Sequence, residues 1–308
     1  MTAETSKHLF GSGHTACAGC GQAIAARLVV DVTGKNTIIA NNTGCLEVFS
    51  TKYPESAWGV PWIHSLFENA AAVASGVEAA LKYLGTKDKI TVISQAGDGG
   101  TADIGLQALS GMWERGHDIL SVCYDNEAYM NTGIQRSGLT PFDTNTSTTP
   151  IGSQSAGNPR PKKPMPEIAV AHGLVYVATA SVGYPRDIEN KVKKAVSIKG
   201  PKYIQIHVPC PLGWRHDPQI TYDIGKLAVE TGLYPLIEYE YGKLTGVRKL
   251  SKIKPVEEYL KFQGRFKHIL SSPEQIKQIQ AIADSNIERY GLKVESVSAP
   301  QDKEAGPL

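Results

Sequence analysis

The chain has no apolar run long enough to span a bilayer, and residues 1–7 lack the apolar core of a secretory signal, so neither a membrane span nor export is expected. Charge of one sign is missing as well. With 32 Lys and Arg against 30 Asp and Glu, the formal net charge of +2 speaks against nucleic acid or an anionic membrane surface as partner. No segment repeats another. Cysteine is scarce: the five in 308 residues are too few for the eight thiolates of a two-cluster ferredoxin domain. What is present is ordinary, with 41% hydrophobic and 20% charged residues, and predicts a packed core rather than global disorder. The length accommodates one large α/β domain with a tail of separate character.

The most informative stretch is Gly97-Asp98-Gly99 followed, across one helix, by Asn126. The β-branched run 89–94 predicts a buried strand, 104–115 a helix with Leu106, Leu109 and Met112 on one face, and 119–124 the next strand. Asp98 and Asn126 therefore fall at the carboxyl ends of two strands, where open parallel sheets bind ligands. Gly97, Gly99 and Ala102 also satisfy the dinucleotide fingerprint, with Asp125 as its ribose-binding acid. Asp98 would then set a carboxylate directly against a pyrophosphate. Mg²⁺ resolves that conflict, because it takes oxygen from one or two protein groups and completes its shell with phosphate.

The cysteines form a second pattern. Cys17-Ala18-Gly19-Cys20, Thr43-Gly44-Cys45 and Val208-Pro209-Cys210-Pro211 each read as loop-like, whereas Cys123 lies inside an apolar strand as a small core residue. Four thiolates can hold a [4Fe–4S] cluster, and a proline after the last echoes the bacterial ferredoxin run. The same residues leave a redox dithiol or a structural zinc site open.

Gly97-Asp98-Gly99 through Asp125-Asn126-Glu127-Ala128-Tyr129-Met130-Asn131-Thr132-Gly133 resembles the thiamine diphosphate motif, in the wording of the β subunits of 2-oxoacid:ferredoxin oxidoreductases of the pyruvate synthase type. The similarity runs from about His14 to about Phe266. It implies a doubly wound, mostly parallel α/β sheet of the thiamine diphosphate-binding (pyrophosphate-type) fold with a C-terminal extension. It further implies that the Asp98 side chain, Asn126 and the Ala128 carbonyl hold Mg²⁺, that Gly97, Gly99, Thr132 and Gly133 lie by the diphosphate, and that Asn131 is catalytic, beside the aminopyrimidine. Cys17, Cys20, Cys45 and Cys210 would ligate a [4Fe–4S] cluster near the thiamine diphosphate.

The activity so implied is oxidative decarboxylation of pyruvate to acetyl-CoA and CO₂, reversible as pyruvate synthase, with coenzyme A as acyl acceptor and electrons leaving through the cluster to ferredoxin. The carboxylate that activates the aminopyrimidine belongs in that family to an α subunit, so this chain is expected to be inactive alone and to assemble with α, γ and ferredoxin-like δ subunits. Oxalate or a branched-chain or aryl 2-oxoacid are alternative substrates. A non-redox thiamine diphosphate decarboxylase would leave the cysteines without a common task, and a zinc or iron–sulfur adaptor would leave the Gly97–Asn126 unit unexplained. Iron ligated by thiolate requires reducing surroundings, so the cytoplasm is the expected compartment.

The expected division is a cofactor domain over 1–213 and an extension over 214–308 with a strand and helices for subunit contacts. Further strands are expected at 37–40, 175–178, 203–208 and 233–239, and helices at 23–31, 67–84, 255–262 and 273–290. Residues 297–308 are expected to fray. The Ser-, Thr- and Pro-rich run 140–166 either covers the cofactor or is a solvated loop. His64 reads as a proton donor or as a structural histidine. Gln22 stands where some members of the resembled family carry Glu. Arg136 could meet phosphate, substrate or a partner acid, and His207 and His216 flank Cys210 without a spacing that compels zinc.

Overall fold

The computed structural model describes residues 8–52 and 56–294; the expected fray at 297–308 lies outside them. One eight-stranded sheet runs through the molecule, built from β1 (Thr37–Asn41), β2 (Trp62–His64), β3 (Thr91–Gly97), β4 (Leu120–Asp125), β5 (Tyr176–Ser181), β6 (Lys202–His207), β7 (Ile237–Glu240) and β8 (Lys243–Val247). Their order is β2-β1-β3-β4-β6-β5-β7-β8. The first six are parallel, and β7 and β8 add antiparallel at one edge. The helices are α1 (Gly21–Thr33), α2 (Cys45–Ser50), α3 (Ala70–Tyr83), α4 (Asp98–Ala102), α5 (Leu106–Glu114), α6 (Met165–Ala171), α7 (Pro185–Ser197), α8 (Pro211–Trp214), α9 (Thr221–Glu230), α10 (Glu257–Leu260) and α11 (Pro273–Arg289).

The central strands β4, β5 and β6 are buried along their whole length, as strands covered on both faces must be. Alternation sorts their side chains. Leu120, Val122 and Tyr124 meet α1 and α7 on one face, while Cys123 and Tyr203 meet α3, α5 and α6 on the other. Cys123 is thus the small core residue the sequence predicts, fully buried in the second layer. A third apolar core gathers Trp214, Ile224, Tyr234, Tyr259, Phe266 and Ile279, contributed by the chain after β6.

The expected doubly wound sheet is present, with local differences. The third strand starts at Thr91 rather than 89, because residues 87–89 form a 3₁₀ turn. The strand expected at 233–239 shrinks to Ile237–Glu240; Pro235 has no N–H to give a ladder, and its carbonyl is instead taken by the Thr179 hydroxyl at 2.6 Å. The helix expected at 255–262 shortens to Glu257–Leu260 and gives way to a 3₁₀ turn at Gly264–Phe266. The Gly-rich segment after β3 continues directly into α4, with Gly97 as N-cap and Asp98 as first residue.

Candidate functional site

Register brings the site together. Asn41 pairs with Gln95, Gly97 with Tyr124, and Asp125 with His207, so the carboxyl ends of β1, β3, β4 and β6 lie side by side. A cleft opens there, lined by Gly97, Asp98 and Gly99 from β3 and α4, by Asn126, Ala128, Asn131 and Thr132 from the segment after β4, and by Asn42, Cys45 and Gln22. The residues picked from two distant motifs therefore share one wall, and Gly133 follows directly in the left-handed region at φ 123°.

Asp98 is buried, and the hydroxyl of Ser137 donates to its Oδ2. Burial, aggravated by the Asp125 carboxylate, pushes the Asp98 carboxyl well above the usual range. The cations nearby are committed elsewhere. Lys162 Nζ lies 2.8 Å from Asp125 Oδ2 and 2.7 Å from Glu127 Oε1, and Arg265 Nη2 lies 2.5 Å from Glu127 Oε2. Burial alone would raise Glu127, but the Lys162 and Arg265 cations overcome it and hold the carboxyl down at about 2. His207, enclosed in the same network, is pushed down to about 3 by burial and is neutral at physiological pH.

The inner atom of the Asn126 amide sits 2.7 Å from the Ala128 carbonyl oxygen and 2.8 Å from Asp98 Oδ1. As nitrogen it donates to both; with the amide turned, three oxygens converge on one point. The loop that achieves this is braced from behind. Trp214 Nε1 donates to the Asn126 carbonyl at 2.8 Å, and the Arg265 guanidinium stacks 3.7 Å from the centre of the Trp214 ring. Glu127 has φ 68°, a left-handed conformation unusual for a side chain of its kind.

The cysteines gather at the same end of the sheet. Cys20 is the N-cap of α1, Cys45 opens α2, and Cys210 caps α8 and accepts from Gly213 N at 3.4 Å. Gly21 N donates to Pro209 O at 3.2 Å, and a Cβ on Gly21 would stand 2.8 Å from that oxygen, so the glycine lets the C-x-x-C turn lie against the segment bearing Cys210. Burial pushes the Cys45 thiol up to about 12, with Cys210, Cys20 and Cys17 adding to the rise. Burial likewise raises Cys210 to about 11. The nearby Asn131 amide opposes the rise at Cys45, and Asn131 and Cys45 both line the cleft. Among the described residues, no three His, Cys, Asp or Glu side chains are gathered tightly enough to enclose a single ion.

Other candidates are placed as follows. His64 Nε2 bonds the Thr43 hydroxyl at 2.8 Å beside the cleft. Gln22 lines the cleft, and its buried Oε1 has no partner; nor has Asn41 Oδ1. Arg136 Nε bonds Asn158 Oδ1 at 3.3 Å. His216 Nδ1 lies 2.8 Å from the Asp217 carbonyl oxygen, and its buried Nε2 has no partner. The run 140–166 is stitched to the domain: Asn158 Nδ2 donates to Thr140 O at 2.8 Å, and Lys162 reaches Asp125 and Glu127. Sequence reasoning passed over Glu127, Ser137, Lys162, Trp214 and Arg265. Glu127 stood inside the quoted motif, but no local signal marked the others.

A Gly-Asp-Gly helix start and an Asn-bearing loop at neighbouring strand ends define a thiamine diphosphate-binding domain of the open α/β class. The family model for the C-terminal thiamine pyrophosphate-binding domain of thiamine pyrophosphate enzymes matches residues 42–206. Pyruvate synthase subunit PorB of Methanosarcina barkeri is 59% identical over 95% of this chain and 100% of its own length, and that of Pyrococcus furiosus 48% identical over 90% and 91%. Ketoisovalerate oxidoreductase subunit VorB of Pyrococcus abyssi is 48% identical over 87% and 88%. The solved 2-oxoglutarate:ferredoxin oxidoreductase of Magnetococcus marinus shares the fold at TM-score 0.54 and 23% identity, over 69% of this chain and 77% of that one. The chain belongs to the 2-oxoacid:ferredoxin oxidoreductase family, as a thiamine diphosphate-binding β subunit. Among the described residues no helix is long and apolar enough to cross a membrane.

Proposed function

We propose that the chain is the thiamine diphosphate-binding β subunit of a pyruvate synthase, working with α, γ and ferredoxin-like δ subunits on pyruvate, coenzyme A and ferredoxin in the cytoplasm. The observation that carries this reading is the convergence of Asp98, Asn126 and the Ala128 carbonyl in a cleft that Cys45 also lines. Mg²⁺ at 2.0–2.1 Å from octahedral oxygens sets neighbouring oxygens about 3 Å apart, close to the 2.7 and 2.8 Å separations about the Asn126 amide. Asp98 fits the ion for a second reason: it is a buried carboxylate left with a hydroxyl but no cation. The unpartnered Gln22 Oε1 and Asn41 Oδ1 are acceptors at or near the cleft and suit a ligand bearing N–H groups.

The cysteines fit a [4Fe–4S] cluster better than zinc. Tetrahedral zinc at 2.3 Å draws its sulfurs to about 4 Å from one another, and no such single-ion group exists among the described residues. A four-iron cube is larger and its thiolates stand farther apart, and Cys17, Cys20, Cys45 and Cys210 lie near enough to influence one another, which supports the cluster reading. Bound thiamine diphosphate supplies the carbanion chemistry of decarboxylation, and the cluster would accept electrons singly. This chain's part would be to hold the diphosphate through Gly97, Gly99, Thr132 and Gly133, to hold the metal through Asp98, Asn126 and Ala128, and to offer the catalytic Asn131 amide to the aminopyrimidine from the wall of the cleft. In this reading residues 1–213 form the cofactor domain and 214–308 an extension that meets other subunits.

Iron and acid-labile sulfide on this chain, purified anaerobically by itself and so free of the iron of the δ subunit, test this. About four irons per chain, lost in Cys210→Ala and kept in Cys123→Ala, are expected. Zinc, or no iron, would overturn the electron-transfer role and return the chain to non-redox thiamine chemistry.

A further inference from the structure

Two of the three oxygen donors ascribed to the metal, those of Asn126 and Ala128, flank Glu127, whose backbone is left-handed at φ 68°. A residue with a Cβ settles there only when its surroundings hold it, and glycine or asparagine would be the undemanding choice. Here the surroundings hold it at four points. Glu127 N donates to Asp125 Oδ1 at 3.1 Å, and the Thr140 hydroxyl donates to Glu127 O at 2.7 Å. Its carboxylate is gripped at both oxygens, by Lys162 at 2.7 Å and by Arg265 at 2.5 Å. Lys162 is partly exposed, its side chain at 24%, but Asp125, Thr140, Glu127 and Arg265 are buried, Glu127 and Arg265 at 3% and 2% exposed, so the Glu127–Arg265 pair cannot exchange its partners for water.

We infer that Arg265 and Lys162 are positioning residues for the metal: by gripping the Glu127 carboxylate they keep the backbone turned so that Asn126 and Ala128 present oxygen to the same point. Should Glu127 relax to negative φ, the chain on its two sides swings apart, the Ala128 carbonyl is carried away from the Asn126 side chain, and the three donors no longer converge. Arg265 lies 138 residues further along the chain and belongs to the C-terminal extension. It also stacks on Trp214, whose indole holds the Asn126 carbonyl. The extension is therefore part of the cofactor site as well as an edge of the sheet. The inference rests on the Mg²⁺–diphosphate reading above.

The test is binding of thiamine diphosphate to the cofactor-stripped holoenzyme, followed by calorimetry across a Mg²⁺ series. Arg265→Met is expected to raise the Mg²⁺ needed for half-saturation about 10- to 100-fold, the usual effect of losing a residue that orients a metal ligand. Arg265→Lys should recover part of that loss. Glu127→Gly removes both the grip and the need for it, so adding Arg265→Met to Glu127→Gly should raise the Mg²⁺ requirement far less than Arg265→Met does in the parent, leaving only the smaller effect through the Trp214 stack. A purely structural role would not produce that pattern. Wild-type Mg²⁺ dependence in folded Arg265→Met, or a second full loss in the double variant, overturns the inference. Should Arg265→Met not fold, Glu127→Gly with and without Arg265→Lys gives the same comparison. Wild-type protein that binds thiamine diphosphate independently of Mg²⁺ would instead sink the metal reading itself.

Discussion

Gly99→Ala isolates what the glycine after Asp98 is for. A methyl group there would stand 2.3 Å from a ring carbon of Tyr129, against 3.4 Å for the closest ordinary contact, so the ring must retreat by about 1.1 Å. It is not free to do so. The Tyr129 hydroxyl donates to Asp103 Oδ2 at 3.2 Å, its backbone N–H donates to Gln135 O at 2.9 Å, and Phe67 stands behind with ring centres 5.6 Å apart. Overpacking of this kind costs about 1–3 kcal/mol. Because Tyr129 adjoins Ala128, the displacement also moves a proposed metal ligand, and thiamine diphosphate affinity should fall about tenfold or more. Tyr129→Leu in the same chain removes the clash. The pair should then be more stable than the two single effects sum to, by about 1 kcal/mol or more. Urea unfolding and calorimetric titration of thiamine diphosphate measure both quantities. Unchanged stability and affinity in Gly99→Ala, or strictly additive losses in the pair, would refute the reasoning.

Asp98→Asn should leave the cofactor-free chain more stable by about 1 kcal/mol or more, because it removes a buried carboxylate that no cation compensates; the same variant should lose Mg²⁺-dependent binding of thiamine diphosphate, and a cofactor-free variant less stable than the parent would contradict the account. Trp214→Phe leaves the Asn126 carbonyl without its 2.8 Å donor and should cost about 1–3 kcal/mol, read from the unfolding midpoint in urea. Asp118 is pulled down to about 2, burial opposing while Lys202 and Lys87 prevail. Its folded value lies below its unfolded one, so its contribution, on the order of 1 kcal/mol after solvent screening, is present above about pH 4 and lost as pH falls toward 2. Asp118→Asn should accordingly flatten the acid limb of the stability profile.

The parallel core was legible because both of its signals are local. Strands β3, β4 and β6 are short β-branched or aromatic runs, and α3, α5 and α11 carry a helical period, so the chain writes them within windows of about ten residues. Asp98 and Asn126 were legible for a related reason: each lies at the end of a strand that could be read, and the ends of neighbouring parallel strands adjoin. Where a single residue interrupts an apolar run, reading failed. Pro235 cut back β7.

The sequence by itself determined the donor types and their spacing: a carboxylate and an amide at strand ends, a C-x-x-C turn with two further cysteines, and too few thiols for more than one cluster. Tertiary structure alone decided that Lys162 and Arg265 meet on Glu127, that Trp214 braces Asn126, and that Gly99 yields its space to Tyr129. It also left Asp98 without a cation, because the two nearby are engaged by Asp125 and Glu127. Such contacts have no signature in spacing or periodicity. They depend on which segments the sheet order brings together, and charge compensation in a buried site is a property of everything within a few ångströms, whatever its distance along the chain.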